Sequence, residues 1–248
     1  MKIDLKSEEE IAKMRISGKI ASRILKEIKN MVKEGVTTAE IASMAEKLIL
    51  EAGAKPSFKG YQHYPAAICV SLNDEVVHGI PKNRVLKIGD IVGLDLGVYY
   101  QGFHTDTALT CPVGRISPEA RKLLKVTEKA LKKGISACRE GKFLGDVQFA
   151  IQKTIEKAGF GVIRDLVGHG VGKNLQEAPP IPNYGQPGTG PRLERGMTLA
   201  IEPMVSSGDW HVKVLPDGWT VVTLDGSLSA HFEHTVAITA RGVEILTK

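Results

Sequence analysis

Two strongly apolar segments of the chain each contain a single carboxylate. Asp95 lies within residues 91–96, and Glu202 ends residues 199–202. Segments this apolar are typical of strands that are covered on both faces. An ionised carboxylate that is buried there without a partner costs several kcal/mol. The sequence therefore predicts a compensating positive charge beside each of them.

Two further acids lie in strand-like segments later in each half of the chain. Asp106 lies in residues 103–109 and Glu233 in residues 231–236. Taken singly, each acid is most often a strand-end residue or a buried salt-bridge partner. An internal repeat, described below, relates the four acids as two pairs, and this relation favours convergence on one site.

Four converging carboxylates need more positive charge than one arginine supplies, and divalent cations supply it. Oxygen ligands with one imidazole suit Mn, Fe, Co or Zn. His169 is the candidate imidazole, because Gly168 and Gly170 would let a turn bring its ring close to a metal. A lone histidine in such a segment is otherwise most often a loop residue. Two ions about 3.5–4 Å apart that share carboxylates form a hydrolytic arrangement.

Helices and strands alternate in a pattern that can position these residues. Ser7 with Glu10 and Thr37 with Glu40 have capping-box spacing, so a helix is predicted after each. Ser117-Pro118 predicts the start of a third helix that runs to about residue 139. A fourth helix is predicted over about residues 145–158. Strands are predicted at residues 66–70, 91–100, 103–111, 197–205, 211–215, 219–224 and 232–239.

Short segments of the first half recur in the same order in the second half. The matched pairs are Glu34-Gly35 with Glu140-Gly141, Ala52-Gly53 with Ala158-Gly159, Leu86-Lys87-Ile88-Gly89 with Leu193-Glu194-Arg195-Gly196, and Asp106-Thr107 with Glu233-His234-Thr235. Coincidence between amphipathic helices is the alternative, but the shared glycines favour a duplication. We predict a single α+β domain over residues 1–248, with pseudo-twofold halves of about residues 1–112 and 113–248 that share one central sheet.

Composition narrows the class of protein further. The 33 Lys and Arg against 28 Asp and Glu give a net charge of +5, and no run is dense enough to predict specific nucleic-acid binding. No stretch reaches the roughly 18 apolar residues of a membrane span, and the charged N-terminus does not have the pattern of a secretory signal. Three scattered cysteines do not form a disulfide framework. We expect a cytoplasmic protein.

The chain resembles the type I methionine aminopeptidases over nearly its whole length. The matching segments are Gly168-His169-Gly170-Val171-Gly172, Ile201-Glu202-Pro203-Met204, Asn73-Asp74-Glu75-Val76-Val77-His78-Gly79-Ile80-Pro81, Asp217-Gly218-Trp219-Thr220 and Ser227-Leu228-Ser229-Ala230, together with the four acids. The resemblance implies the pita-bread fold, a central antiparallel sheet covered by helices. It also implies removal of the N-terminal methionine from nascent proteins when the second residue is small.

The resemblance assigns a role to each candidate ligand. It implies that Asp106 and Glu233 bridge two divalent ions, that Asp95 chelates one ion, and that His169 and Glu202 bind the other. A water held between the ions would be the nucleophile, with Glu202 as its general base. The identity of the ions, Co, Mn, Fe or Zn, stays open.

The resemblance also assigns residues to the substrate. His78 would hydrogen-bond the peptide near the scissile nitrogen, although a histidine beside a turn at a strand end is the plainer alternative. The methionine pocket would be lined by Tyr61, Tyr64, Cys69, Leu175 and Trp219, each of which is singly more often a core residue. The expected partner is the N-terminal peptide of a nascent protein. We expect a monomer, and a weak ribosome association is left open.

The chain departs from the family pattern at three places. Leu175-Gln176 stands where a Phe-His pair precedes the glutamate, and Gln176 cannot carry a proton or a positive charge. Phe58 stands where a smaller residue is usual, and Gly97 where some members have threonine. We therefore expect a working metal-binding enzyme that is slower or is a secondary paralogue, and these alternatives stay open.

Two other functions remain as alternatives. A proline-directed aminopeptidase or dipeptidase of the same fold would share the five ligands, but such enzymes usually carry an extra N-terminal domain. A non-catalytic pita-bread binding module would be marked by lost ligands, and all five are present.

Overall fold

The computed structural model describes residues 2–248. The helices of this range are α1 (Glu8–Met31), α2 (Thr38–Glu51), α3 (Pro118–Ala137) and α4 (Leu144–Glu156), with a 3₁₀ turn at Tyr61–His63. The strands are β1 (Lys55–Pro56), β2 (Cys69–Leu72), β3 (Glu75–Val77), β4 (Ile91–Tyr100), β5 (Phe103–Pro112), β6 (Gly161–Val162), β7 (Val167–Gly170), β8 (Glu177–Pro182), β9 (Thr198–Ile201), β10 (Met204–Ser206), β11 (Val212–Val214), β12 (Val221–Thr223), β13 (Ser229–His231), β14 (Glu233–Thr239) and β15 (Gly242–Ile245).

The predicted helix starts are all present. Ser7 Oγ accepts from the backbone N–H of Glu10, and the Glu10 carboxylate accepts from the N–H of Ser7. Thr37 and Glu40 make the same reciprocal pair at α2. Ser117 caps α3, with proline at the first helical position. Each cap satisfies backbone N–H groups that a helix start leaves without partners, so local sequence decides these boundaries.

The largest sheet is antiparallel throughout. Its strands follow the order β1-β4-β5-β14-β9-β7-β8, with β2 also paired to β4 and β15 to β14. Strands β4 and β5 form a long hairpin, and β5 pairs with β14, so the pairing of Ala108 with Glu233 joins the earlier to the later part of the chain. Two small three-stranded sheets, β13-β10-β6 and β11-β12-β3, complete the described strands.

The prediction of one continuous strand over residues 197–205 was wrong, and strands β1, β3, β6, β7, β8, β13 and β15 were not predicted. The run over residues 197–205 is divided into β9 and β10, because Glu202-Pro203 separates them and proline cannot donate to a sheet ladder. Strands β7 and β8 were not predicted, since glycines and prolines fill them and both residue types are depleted in strands. Tertiary pairing overrides that propensity here.

Two helix pairs cover one face of this sheet. Helices α1 and α2 pack against the even-numbered residues of β4, and α3 and α4 pack against β9 and β14. This is the predicted architecture of an antiparallel sheet covered by helices. Asp95, an odd-numbered residue of β4, therefore faces the opposite side of the sheet. No helix among residues 2–248 is long and apolar enough to cross a membrane.

Candidate active site

Strand register places all five predicted ligands on one face of the sheet. Asp95 pairs with Ala108, which pairs with Glu233 on the next strand, and Asp106 lies two residues from Ala108. His169 of β7 pairs with Ala200 of β9, and Glu202 follows Ala200 by two residues. Directly paired residues and residues two apart share a face. Strand pairing therefore brings together Asp95, Asp106, His169 and Glu233, and Glu202 joins them from the link directly after β9.

The face opens into a cavity of about 610 Å³. All five predicted ligands line it, and so does every residue predicted to contact substrate: His78, Gln176, Tyr61, Tyr64, Cys69, Leu175 and Trp219. Substrate sites are typically cavities of this size with a few convergent polar groups. The site therefore has two parts. The carboxylates of Asp95, Asp106, Glu202 and Glu233 form one side of the cavity, called the acidic floor here. The largely apolar opposite side, called the apolar wall, is formed by Tyr61, Tyr64, Cys69, Leu175 and Trp219.

The acidic floor has no compensating lysine or arginine. Among residues 2–248 the only ion-pair partners of these acids are imidazoles: His169 Nε2 lies 3.6 Å from Glu202 Oε1, and His231 Nε2 lies 3.3 Å from Glu202 Oε2. Two buried carboxylate atoms, Asp95 Oδ1 and Glu233 Oε1, have no hydrogen-bond partner there. Buried acceptors left unpaired in this way are costly, so the floor needs a cation to be stable when ionised.

The donor set fits a divalent metal. One ligand atom from each of Asp106, His169 and Glu233 lies within 4.8 Å of the others. Carboxylate oxygens with one imidazole nitrogen suit ions such as Mn, Fe, Co and Zn. The orphaned oxygens of Asp95 and Glu233 extend the same donor set, so these residues fit the metal centre that the sequence predicted.

The pKa values of the four acids reflect the lack of a lysine or arginine beside them. Burial raises the pKa of Asp95, Asp106, Glu202 and Glu233 above the usual carboxyl range. Repulsion from neighbouring acids raises the pKa of Asp95, Asp106 and Glu233 further, whereas the His169 charge lowers that of Glu202. Perturbed carboxyl groups of this kind cluster at functional sites.

The surroundings of His169 differ from the prediction. The residue lies within strand β7 and not in a glycine-rich turn. A Cβ at Gly168 would lie 2.4 Å from the Ala200 oxygen, and one at Gly170 would lie 2.2 Å from the Ala178 oxygen. The glycines are thus needed for close strand packing, which sets the imidazole beside Glu202.

His78 is held in a strained backbone conformation. Its φ of 59° lies in the left-handed region, which costs a non-glycine residue about 1–3 kcal/mol. A Cβ at the next residue, Gly79, would lie 2.4 Å from the Val70 oxygen, so the chain passes very close to β2. The imidazole packs edge-on against Trp219, with 6.0 Å between ring centroids. Burial lowers the pKa of His78 to about 4, so the ring is neutral near pH 7.

The apolar wall is one packed cluster. Phe58, Tyr64, Cys69 and Leu175 are buried together, with Tyr61 and Trp219 partly buried against them. Tyr64 Oη donates to the Gly79 oxygen at 2.9 Å, which places its ring against the edge of Trp219. Burial raises the pKa of the Cys69 thiol, which therefore stays protonated. The predicted pocket residues thus form a continuous apolar surface.

Gln176 lies at the exposed rim of this wall. Its Oε1 accepts a long hydrogen bond of 3.4 Å from Tyr61 Oη. The neighbouring Glu177 is buried and forms an ion pair with Lys6, whose ammonium also donates to the Asp4 oxygen at 3.1 Å. Glu177 Oε1 accepts from the Asn174 N–H at 2.9 Å. The N-terminal segment therefore holds the loop that presents Leu175 and Gln176 to the cavity.

Three residues at this site, His231, Glu177 and Lys6, were missed in the sequence. His231 lies beside Glu202, and its position two residues before Glu233 was a usable signal, because alternate strand residues share a face. The ion pair of Glu177 with Lys6 left no local signal, since the two residues lie far apart in sequence.

Comparison with known proteins agrees with this site. The model for metallopeptidase family M24 matches residues 12–240. Methionine aminopeptidase 1 of Bacillus subtilis is 51% identical over 243 residues, which cover 98% of both chains. The crystal structure of methionine aminopeptidase from Thermotoga maritima has a TM-score of 0.98 at 50% identity, with both chains fully covered. Prolidase from Pyrococcus furiosus has a TM-score of 0.80 at 25% identity, and the match covers 65% of that chain.

The fold is therefore the pita-bread fold, and the site is that of a metal-dependent peptidase. The chain belongs to metallopeptidase family M24. The similarity to methionine aminopeptidases extends over the full length of both chains at about twice the identity of the prolidase match. The proline-directed alternative and the non-catalytic alternative are not favoured.

Proposed function

We propose that the chain is a methionyl aminopeptidase that removes the N-terminal methionine of proteins and peptides whose second residue is small. One observation carries the proposal: four uncompensated acids and an imidazole form the floor of a cavity whose wall is apolar. Full-length similarity to methionine aminopeptidases supports the reaction, and the preference for a small second residue rests on the resemblance.

Two divalent cations are part of the proposal. Asp106 and Glu233 would bridge them, Asp95 would chelate one, and His169 and Glu202 would bind the other. Cations bound there lower the pKa of water and polarise a carbonyl group. Asp95 supports more than one cation, because its orphaned Oδ1 is a buried carboxylate donor from a residue outside the trio Asp106, His169 and Glu233 that one ion could use.

The protein side chains would bind the peptide and move its protons. Glu202 Oε1 faces the cluster and would accept a proton as general base. The neutral His78 ring would donate a hydrogen bond to the peptide near the scissile nitrogen. Gln176 would contact the same peptide from the loop, but it can only exchange hydrogen bonds and cannot transfer a proton.

Side-chain preference would come from the apolar wall. A methionine side chain is unbranched and apolar, so it gains free energy by entering a cavity lined by aromatic rings and a thiol. Tyr61, Tyr64, Cys69, Leu175 and Trp219 supply that lining. Phe58 belongs to the same cluster and reduces its width.

Release of methionine from short peptides tests the proposal. Metal-free protein is supplied with Mn, Co, Fe or Zn and given Met-Ala-Ser, Met-Gly-Ser, Met-Leu-Ser and Leu-Ala-Ser. We expect cleavage of the first two peptides only. Asp95→Asn is the inactive control, and the variant Glu34→Gln, at an exposed acid far from the segments of the site, should behave as wild type. No methionine release with any of the metals would overturn the proposal.

All three cysteines are free and buried, as is usual in a reducing compartment, and we place the enzyme in the cytoplasm. We propose that it acts as a monomer on nascent chains. The net charge of +5 supports a weak association with the ribosome.

A further inference from the structure

His231 is a buried imidazole directly behind Glu202. It ends strand β13, and its side chain is 4% exposed. Its backbone is held on both sides, because its N–H donates to Thr110 Oγ1 at 2.9 Å and its carbonyl accepts from the same hydroxyl at 2.8 Å. The ring therefore has little freedom to move away from Glu202.

The ring nitrogen that faces Glu202 has no hydrogen-bond partner among residues 2–248. Only three buried side-chain polar atoms of that range share this property: His231 Nε2, Asp95 Oδ1 and Glu233 Oε1. Two of these atoms belong to the acidic floor, and the third, His231 Nε2, lies directly behind it. His231 Nε2 lies 3.3 Å from Glu202 Oε2, close enough for a hydrogen bond but not aligned for one. A small rotation of the Glu202 carboxylate would align the two groups.

Glu202 thus lies between two imidazoles with different surroundings. His169 is on the side of Oε1 and lines the cavity, whereas His231 is on the side of Oε2 and is absent from the cavity lining. Carboxylates that bind metals are commonly oriented by hydrogen bonds from such outer groups. The position of His231 suits orientation of Glu202 and not contact with the peptide.

We propose that His231 is a positioning residue that donates its Nε2–H to Glu202 Oε2 and thereby leaves Oε1 free for a cation and for proton transfer. The inference rests on the proposed role of Glu202. It also accounts for the orphaned imidazole, since binding of cations on the Oε1 side would set the carboxylate and complete the hydrogen bond. A buried N–H that is left without an acceptor there would otherwise destabilise the fold.

Metal affinity tests this role without reference to turnover. Mn(II) is titrated calorimetrically into metal-free wild type, His231→Leu, His231→Gln and His231→Asn, with the exposed His211→Leu as control. We expect His231→Leu and His231→Asn to bind Mn(II) about 10–100-fold more weakly with unchanged stoichiometry. His231→Gln should stay close to wild type, because its amide nitrogen reaches as far as Nε2. The Asn and Gln pair keeps the test valid if the Leu variant does not fold.

Kinetics with Met-Ala-Ser give a second readout. His231→Asn should lower kcat with little change in KM, and His231→Gln should restore kcat. Unchanged Mn(II) affinity in His231→Asn, or equal loss in the Gln and Asn variants, would overturn the proposal. A lower stoichiometry would also overturn it, since it would make the imidazole a ligand. Failure of the wild type to bind Mn(II) would instead count against the proposed function.

Discussion

The ring of Phe58 lies in the space that a side chain at position 97 would need. A Cβ built on Gly97 would lie 2.7 Å from Phe58 Cε1 and equally close to Ser57 Cβ. Gly97 is a residue of β4 and pairs with Asp106, so the contact lies at the edge of the acidic floor. The two departures from the family pattern, a larger residue at 58 and a smaller one at 97, are therefore one compensated change in packing.

Gly97→Ala should destabilise the protein by about 1–3 kcal/mol, because the new methyl group overpacks against Phe58 and Ser57. Combination with Phe58→Cys should remove the part of that penalty that comes from the Phe58 ring and leave the part that comes from Ser57 Cβ, so the two free-energy changes should not add. Urea unfolding of both single variants and the double variant measures the coupling. Gly93→Ala in the same strand is the control, since its Cβ would have no neighbour closer than 3.5 Å. Additivity within about 0.5 kcal/mol would contradict the compensation.

Lys6→Met should destabilise the protein by about 3–5 kcal/mol, because it leaves the Glu177 carboxylate buried and unpaired. The Lys6 and Glu177 side chains are only 4% and 7% exposed. The double variant with Glu177→Gln should recover part of the loss. We also expect a higher KM with a smaller change in kcat, since the loop that carries Leu175 and Gln176 loosens.

Lys13→Met is the matched control for that experiment. Lys13 pairs with Glu9 on the surface of α1, with side chains 38% and 81% exposed. Such exposed pairs contribute about 0.2–1 kcal/mol, so this variant should unfold almost as wild type does. An equal effect of the two variants would show that burial of the Lys6 ion pair has no special role.

Gln176→His should raise turnover of Met-Ala-Ser by about tenfold or more if an imidazole at this position can assist proton transfer. The gain should appear in kcat and should diminish when the new imidazole is protonated at acidic pH. Gln176→Asn serves as a comparison that keeps an amide but shortens its reach. Identical pH–rate profiles for wild type and Gln176→His would show that the position takes no part in proton transfer.

Asp95→Asn should change stability in opposite directions with and without metal. Burial and repulsion from Asp106 and Glu202 raise the pKa of Asp95, so above the ordinary carboxyl pKa folding must either protonate this group or bury its charge. Asparagine avoids that cost, so in the metal-free protein the free energy of unfolding should rise. With Mn(II) in excess, the wild type should gain about 2.7 kcal/mol at 100 times its Kd, and the variant should gain less. Thermal unfolding with and without Mn(II) measures both effects. A variant that is less stable in both conditions would contradict the model of an uncompensated acidic floor.

The sequence by itself determined the helix starts and the burial of the acids. Capping residues at Ser7, Thr37 and Ser117 give helix starts from local hydrogen bonding alone. The apolar segments around Asp95 and Glu202 predicted that both carboxylates are buried and need a positive charge. Both signals are local, so they can be read without knowing what packs against them. The internal repeat then suggested that the two pairs of acids meet.

Tertiary structure decided everything that depends on distant neighbours. Strands β7 and β8 form despite their glycines and prolines, because Gly168 and Gly170 allow contact with Ala200 and Ala178 that no side chain would permit. The imidazole of His231 behind Glu202, the Lys6–Glu177 ion pair and the Phe58–Gly97 contact all join residues far apart in the chain. Burial and pairing energies arise only when such segments meet, so composition and spacing do not reveal them.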